Sequence, residues 1–316
     1  MTSTDHTKGP PRKRARPANL DHFPSPLRYP GGKGKVANYV KLLFLSNEMV
    51  GYDYAEPYAG GASVALSLLF EQYASRVHIN DLNPSVFAFW NAVLHDTDSL
   101  CARIRDVAVT VDEWHRQKAV QQATDPEQLD LAVSTFFLNR TNRSGIIEGG
   151  IIGGKNQTGN WKLDARFNKD DLIRRISKIA RQSERITLTR RDAACYLRDV
   201  VPTLPRSTFL YLDPPYFVKG RGLYQNFYDP DDHAEISAAM DHVERPWLVS
   251  YDAAPEIIRL YGRHSLLTYG LSYSAADRYS GAEVMFFSRG LIRPDVDSPA
   301  KVKSRVVSKL RMSLLT

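Results

Sequence analysis

The 316-residue sequence lacks a long apolar run, a disulfide framework and paired histidines. No stretch of about 18 apolar residues occurs, and the first 22 residues lack the apolar core of a secretory signal, so we expect neither a membrane span nor a leader. Two cysteines, Cys101 and Cys195, cannot build disulfides or a zinc site by themselves, which favours a reducing cytoplasm. The eight histidines show no paired spacing near acids or cysteines, so we expect no metal site.

The composition is that of a folded globular protein, with 43% apolar and 24% charged residues. Its formal charge of +7 is unevenly distributed. Residues 1–22 carry +3 and residues 289–316 carry +5, while residues 139–191 hold thirteen bases against five acids. Such a distribution favours a polyanionic partner, although basic tails and helix faces also serve solubility.

Apolar strands alternate with helices, which predicts one α/β domain with a large insertion. We predict strands at residues 52–56, 76–80, 186–189, 208–212 and 247–250, with a closing antiparallel pair at 266–273 and 283–288. Helices are predicted at residues 36–45, 62–73, 84–94, 169–183 and near 231–244. Residues 100–138 look helical, and Asn83, Asp112 and Asp125 are candidate helix caps. Residues 139–168 have the composition of an irregular loop or hairpin.

These patterns divide the chain into four parts. Residues 1–22 are predicted to be a disordered basic tail, and residues 291–316 a second, loosely ordered basic tail. Residues 23–100 and 184–290 form the α/β domain, and residues 101–183 form the insertion.

The sharpest motif is Asp213-Pro214-Pro215-Tyr216, which follows the apolar strand at 209–212. In open α/β sheets, ligands bind beyond the carboxyl ends of the strands, where this motif is expected. The two prolines stiffen the backbone and hold a carboxylate, backbone carbonyls and an aromatic ring at fixed separations. That arrangement suits an amine on a planar ring. The carboxylate and a backbone carbonyl can accept its two N–H groups while Tyr216 stacks on the ring of the ligand. A simple turn is the alternative interpretation.

A glycine turn with the sequence Glu56-Pro57-Tyr58-Ala59-Gly60-Gly61 joins the first strand to the next helix. Glycine lets the backbone approach a ligand closely, and the start of the helix offers free N–H groups. Asp81 ends the next strand, 21 residues after Gly60, a spacing at which an acid meets a ribose diol in nucleotide-binding folds. The pair indicates a nucleoside site without identifying the nucleoside.

A third glycine-containing segment runs from Arg28 to Lys35. A phosphate-binding P-loop would need glycine in place of Tyr29 and a serine or threonine in place of Val36, and no strand precedes the segment. The P-loop is therefore excluded. A turn that carries Lys33 to the mouth of a cofactor pocket is the remaining interpretation.

Together and in this order, the three motifs resemble those of the Dam-like (α-type) DNA adenine-N6 methyltransferases, over residues 27–288. Ala62 stands where that family usually has a second glycine. The resemblance implies an α/β fold with a Rossmann-like methyltransferase sheet, mostly parallel with a closing antiparallel hairpin. It also implies that the helical and loop insertion recognises the DNA target.

The resemblance also implies the roles of individual residues. Catalysis falls to Asp213, Pro214, Pro215 and Tyr216. The cofactor, S-adenosylmethionine without a metal, would be bound by Tyr29, Lys33, Glu56, Pro57, Tyr58, Gly60, Gly61, Asp81, Asp192 and Asp213. Expected DNA contacts are Arg28, Arg140, Asn142, Arg143 and Lys155. The stretch at 141–155 departs from the best-known members, so a GATC target is not implied.

The implied function is site-specific methylation of adenine N6 in double-stranded DNA, on a base flipped out of the helix. Two alternatives stay open: cytosine-N4 methylation, and a catalytically decayed DNA-binding member of a defence complex. Tyr224, Phe227 and Tyr228 would line the flipped base or close the core. A restriction endonuclease or another defence protein is compatible with the resemblance as a partner, in a bacterial or phage-infected cytoplasm and away from membranes.

Overall fold

The computed structural model describes residues 24–28, 33–217, 228–272 and 280–314. The tail predicted at residues 1–22 lies outside the described residues, as do Tyr29, Tyr224 and Phe227.

A single seven-stranded sheet forms the centre of the protein. Its strands are β1 (Asp53–Glu56), β2 (Val77–Asn80), β3 (Ile186–Thr189), β4 (Thr208–Leu212), β5 (Trp247–Asp252), β6 (Ser265–Ser272) and β7 (Ser280–Phe287). They lie in the order β3-β2-β1-β4-β5-β7-β6. The first five are mutually parallel, and β7 runs antiparallel to both β5 and β6. The predicted α/β class with an antiparallel closing pair is confirmed.

Helices cover the sheet, because β1, β2 and β4 are buried along their whole length and need apolar cover on both faces. The helices are α1 (Ala37–Ser46), α2 (Ser63–Phe70), α3 (Pro84–His95), α4 (Thr97–Asp106), α5 (Val111–Gln122), α6 (Gln128–Thr141), α7 (Lys169–Ala180), α8 (Ala193–Cys195), α9 (Pro230–Asp241), α10 (Pro255–Leu260) and α11 (Ser304–Ser313). A 3-10 turn at Lys33–Val36 leads into α1. None of the described helices has the length and apolarity that a membrane crossing requires.

One of the three predicted helix caps is confirmed. The Asn83 side chain accepts backbone N–H groups in the first turn of α3. The prediction for Asp112 is wrong, because Thr110 caps α5 by accepting the Glu113 N–H at 3.1 Å. Asp112 lies inside the first turn, where its charge complements the helix dipole. The prediction for Asp125 is also wrong, since α6 begins further along the chain and has no side-chain cap.

The insertion predicted at residues 101–183 covers the end of α4, helices α5 to α7 and an irregular loop between α6 and α7. Helix α6 continues to Thr141, two residues beyond the predicted start of the loop. Residues 142–168 are irregular as predicted, with short 3-10 turns at Arg143–Gly145 and Leu163–Arg166 and one bridge between Asn142 and Ile151. Helix α3 packs against α6 and α7, so the insertion shares the main hydrophobic core.

The C-terminal segment is more ordered than predicted. Instead of a loose tail, it forms α11, which packs against α1. Val307 is buried, and the Arg311 guanidinium lies 4.7 Å from the centre of the Tyr73 ring and donates to the Glu71 carbonyl. The prediction failed because a docked helix needs apolar side chains on one face only, so a mostly polar sequence can still dock.

Candidate active site

The predicted cofactor and catalytic residues converge on one cavity at the carboxyl ends of β1, β2 and β4. From β1 the chain builds the sheet outward through β2 and β3, and from β4 it builds in the opposite direction through β5. The crevice between β1 and β4 is therefore a topological switch point, where open α/β sheets bind their ligands. The predicted residues that line the cavity are Lys33, Glu56, Pro57, Tyr58, Gly61, Asp81, Asp213 and Pro215.

The glycine turn after β1 shapes one wall of this cavity. Gly60 and Ala62 both adopt positive φ, at 46° and 47°. Glycine adopts this left-handed backbone without strain, whereas an alanine there costs about 1–2 kcal/mol. That cost is the physical reason for a glycine preference at the position of Ala62. The Trp90 indole holds the turn by donating to the Gly60 carbonyl at 2.8 Å.

Asp81 connects the loops after β1 and β2. One carboxylate oxygen accepts the Gly60 N–H at 2.8 Å, and the other accepts the Asn83 N–H at 3.0 Å. Burial raises the pKa of Asp81 to about 6, although these two N–H groups favour the charged form. Gly60 thus positions Asp81 through its backbone N–H, and it is Asp81 that lines the cavity.

Glu56, the last residue of β1, has an unsatisfied buried oxygen. The side chain is 4% exposed, and its Oε2 has no hydrogen-bond partner among the described residues. Burial and the nearby Asp213 carboxylate raise the pKa of Glu56 well above its ordinary value. An unpaired buried acceptor is costly unless a ligand satisfies it, so this wall suits a ligand that carries a positively charged donor.

Asp213 lies directly after β4, with its carboxylate at the cavity. Its Oδ1 accepts from the Ser250 hydroxyl at 2.8 Å and lies 3.3 Å from the Lys33 ammonium. The Tyr211 hydroxyl, 2.9 Å from Ser250 Oγ, completes this chain of contacts. Burial raises the pKa of Asp213 to about 6, although Lys33 lowers it. Asp213 is therefore mostly ionised at neutral pH and can accept hydrogen bonds.

Tyr216 and Lys33 form a buried cluster next to Asp213. The Lys33 ammonium donates to the Tyr216 hydroxyl at 3.2 Å and lies 5.1 Å from the centre of the Tyr216 ring. Burial disfavours the charged ammonium, but the carboxylates of Asp213 and Glu283 raise the pKa of Lys33 well above its ordinary value. Lys33 thus contacts the predicted catalytic residues as well as lining the cofactor cavity. Pro214 is buried between Asp213 and Pro215.

Of two further predicted cofactor residues, Tyr58 lines the cavity and Asp192 lies between two lining residues without lining it itself. The Tyr58 hydroxyl lies 3.0 Å from that of Tyr228, which also lines the cavity. Asp192 caps α8 with its Oδ1, and its neighbours Arg191 and Ala193 are wall residues. The described part of the chain contains no group of three or more His, Cys, Asp or Glu side chains that could hold a metal ion.

Three residues of the buried cluster around Lys33 and Asp213 were not predicted from the sequence. Ser250 lies in β5 and contacts Asp213. Glu283, in β7, accepts from Lys33 and Tyr216 with one oxygen and from Tyr269, in β6, with the other. The sequence shows Glu283 only as a single acid before four apolar residues, 284–287. That pattern does not reveal a partner 250 residues away.

Arg28 and Arg140 lie where the insertion meets the segment before Lys33. Asn139 accepts the Arg28 N–H at 2.7 Å and donates to its carbonyl at 2.5 Å. Arg140 donates to the carbonyls of Arg166, at 2.8 Å, and Pro26, at 3.3 Å. Burial, together with the positive charge of Arg28, lowers the pKa of Arg140 to about 9. Both arginines thus support the fold beside the site.

The loop residues predicted to contact DNA differ in exposure. Arg143 and Lys155 are exposed. Asn142 is fully buried; its side-chain oxygen accepts the Trp114 indole N–H at 2.6 Å, and its amide donates to the carbonyls of Ile146 and Ile147. These internal bonds occupy the Asn142 side chain, which contradicts the expected DNA contact.

Comparison with known proteins agrees with the motifs. The family model of the D12 class N6 adenine-specific DNA methyltransferases matches residues 29–274. Modification methylase StsI of Streptococcus sanguinis is 26% identical over 211 residues, which are 62% of this chain and 29% of the relative, so the match spans less than a third of StsI.

Two solved structures are similar at low identity. The Precorrin-6y C5,15-methyltransferase of Geobacter metallireducens GS-15 has a TM-score of 0.32 and 9% identity, covering 79% of this chain and 87% of that one. The rRNA methyltransferase aviRa of Streptomyces viridochromogenes has a TM-score of 0.31 and 11% identity, covering 77% and 82%. The family model matches most of the chain, and the matched residues include the glycine turn, Asp81 and the Asp-Pro-Pro-Tyr motif. The chain therefore belongs to the D12 class N6 adenine-specific DNA methyltransferases.

Proposed function

We propose that this protein transfers the methyl group of S-adenosylmethionine to N6 of adenine in double-stranded DNA. The observation that carries the proposal is the position of Asp213, whose carboxylate opens onto the cavity that Glu56 and Asp81 also line. A methyl donor in that cavity would lie beside the carboxylate that accepts the target amine.

The cavity suits this cofactor by charge. S-adenosylmethionine carries a sulfonium, an ammonium and a ribose diol, and the cavity offers three carboxylates. The unpaired Oε2 of Glu56 fits the ammonium, because burial without a partner is otherwise unfavourable. Asp81 follows β2 at the spacing of a ribose-binding acid. Gly61 and Tyr58 also line the cavity, and we assign the adenine end to Asp192, whose neighbours Arg191 and Ala193 are lining residues.

The residues of the motif after β4 would prepare the target amine. The cofactor supplies an electrophilic methyl group on its sulfonium. Adenine N6 is a poor nucleophile, because its lone pair is delocalised into the ring. Hydrogen bonds from its two protons to the Asp213 carboxylate and the Pro214 carbonyl would localise that lone pair and stabilise the positive charge that develops on nitrogen. Asp213 has a pKa of about 6 and is ionised in the neutral range where this acceptor is needed.

The target base must leave the duplex to reach Asp213. Flipping costs about a few kcal/mol, and stacking on an aromatic ring returns about 1–3 kcal/mol. We assign this role to Tyr216, which is buried here with its hydroxyl held by Lys33 and Glu283, so stacking requires that its ring become exposed when DNA binds. Tyr228 offers a second ring on the cavity wall.

The insertion is the proposed DNA surface. Exposed Arg143 and Lys155 lie in its loop and are available to phosphates or base edges. Arg28 and Arg140 are bound to backbone carbonyls and would add positive charge behind that loop. We leave Asn142 out of the proposed contacts because it is buried. The relative named a modification methylase supports a role beside a restriction endonuclease.

The test combines sequencing with one substitution. Modified-base sequencing of DNA from cells that express the protein should show N6-methyladenine at a defined motif. Purified Asp213→Asn should lose at least about a hundredfold in methyl transfer, since one acceptor of this kind contributes about 10²–10³ in rate. Calorimetry should show cofactor binding within a few-fold of the wild type. Near-wild-type transfer by the variant would refute the mechanism, and N4-methylcytosine in the DNA would favour the cytosine alternative.

A further inference from the structure

We propose that Glu283 is a positioning residue for methyl transfer: it holds the Lys33 ammonium and the Tyr216 hydroxyl so that Asp213 stays available to the target amine. This inference rests on the proposed function. It concerns a residue in β7, far along the chain from the motifs that carry the family resemblance.

Glu283 is the closer of the two carboxylates that face the Lys33 ammonium. The ammonium lies 2.9 Å from Glu283 Oε1 but 3.3 Å from Asp213 Oδ1. The Glu283 side chain is fully buried, whereas that of Asp213 is 22% exposed and faces the cavity. Glu283 is thus held entirely inside the protein, while Asp213 keeps part of its surface open to a ligand.

Both oxygens of Glu283 accept hydrogen bonds. Oε1 accepts from Lys33 and from the Tyr216 hydroxyl, and Oε2 accepts from Tyr269 at 2.7 Å. Tyr269 lies directly opposite Glu283 in the β6–β7 register, so the antiparallel pair fixes the carboxylate. Burial opposes ionisation, but Lys33 and these hydroxyls hold the pKa of Glu283 below its ordinary value. Glu283 is thus a rigid anion in contact with the proposed stacking residue.

Without this anion, Lys33 would turn to Asp213. The two carboxylates share one ammonium, and neutralising the closer one leaves Asp213 as the charged carboxylate next to Lys33 among the described residues. A closer Lys33 would compete with the target amine for the oxygens of Asp213. Tyr216 would lose the acceptor that orients its ring. Both changes reduce the rate of transfer, while the walls of the cofactor cavity do not include Glu283.

The same geometry predicts a change in pH dependence. The ionisable groups that face Asp213 come from several elements: Lys33, Glu56, Tyr54, Tyr211, Tyr269 and Glu283. Of these, Lys33 favours the charged form of Asp213, while Glu283 opposes it. Neutralising Glu283 therefore lowers the pKa of Asp213. The acid limb of kcat should then move to lower pH, which a purely structural role for Glu283 would not produce.

The experiment compares Glu283→Gln with Glu71→Gln, which breaks a second Lys–Glu pair, Lys41–Glu71, outside the cavity walls. Labelled methyl transfer to unmethylated genomic DNA is measured against pH, and cofactor binding by calorimetry. We expect Glu283→Gln to lower kcat about 10- to 100-fold, as loss of a charged hydrogen bond does, with a shifted acid limb and nearly unchanged cofactor affinity. Glu71→Gln should keep the wild-type kcat and acid limb.

Each outcome decides a different question. An unchanged kcat or acid limb in Glu283→Gln would refute the role of Glu283, whereas a wild type without methyl transfer would refute the proposed function. If Glu283→Gln does not fold, Tyr269→Phe decides, because it removes only the bond to Oε2. A severalfold lower kcat with unchanged cofactor binding supports the role, and a wild-type kcat refutes it.

Discussion

Asn139 offers a sharp test of how the insertion supports the active site. This residue, near the end of α6, is 2% exposed. Its side chain makes three hydrogen bonds to backbone groups: it accepts the Arg28 N–H at 2.7 Å and donates to the carbonyls of Arg28, at 2.5 Å, and Gly145, at 2.8 Å. It thereby holds the backbone of Arg28, five residues before Lys33 in the chain, against the insertion.

The expected cost of Asn139→Ala follows from these bonds. Each contributes about 0.5–1.5 kcal/mol, and a buried backbone group left without its partner costs about 1–3 kcal/mol. The free energy of unfolding should therefore fall by about 3–5 kcal/mol. Asn139→Asp should be no better, since its second oxygen would face the carbonyls of Arg28 and Gly145 instead of donating to them.

Denaturant unfolding measures the cost, and methyl transfer measures its effect on the site. The exposed Asn156 lies in the same insertion, and Asn156→Ala should stay within about 0.5 kcal/mol of the wild type. Asn139→Ala should also lower methyl transfer, because Arg28 and Gly145 lose the side chain that joins them. A loss of less than about 1 kcal/mol would refute the reasoning, since three such bonds together should contribute at least about 1.5 kcal/mol.

Three further predictions concern burial. Burial raises the folded pKa of Asp81 to about 6, above its unfolded value, so the protonated carboxyl stabilises the fold at low pH and this contribution is lost as pH rises through 6. In denaturant titrations, Asp81→Asn should therefore lose about 2–3 kcal/mol less stability than the wild type between pH 4 and pH 7. Val307→Ala should cost about 1–2 kcal/mol, while Val306→Ala next to it should cost less than about 0.5, and equal effects would mean that α11 is not docked. Asn142→Ala should lower the melting temperature, whereas Arg143→Ala should leave it unchanged and reduce the salt slope of DNA binding by about 1. Equal DNA-binding defects without a stability difference would contradict that division.

The sequence predicted best what depends on a single stretch of chain. Strand β4 followed by Asp213, and β1 followed by the glycine turn, could be placed because apolar runs and turn residues determine local structure. The parallel order then brings these turns to one edge of the sheet, so the cavity was foreseeable from its parts. The roles of individual residues within it remain predictions.

The features that the sequence did not predict depend on contacts between distant residues. Glu283 meets Lys33 across 250 positions, and nothing local distinguishes it from a surface acid at a strand end. Asn142 was expected to contact DNA because it lies in a polar loop sequence. In the structure it is buried, and its side chain bonds to the Trp114 indole and to two backbone carbonyls. The docking of α11 likewise depends on Val307 finding space on the core.

The position of β7 in the sheet also bears on how the protein is made. β7 is the last strand of the sheet in the chain, yet it lies between β5 and β6. During synthesis, β5 therefore keeps a free edge until residues 280–287 emerge, and β6 has no neighbour in the sheet to join. The same late strand brings Glu283 to Lys33. A nascent chain that ends before β7 therefore lacks both Glu283 and the strand that joins β6 to β5, so the contact with Lys33 can form only after the last strand has been made.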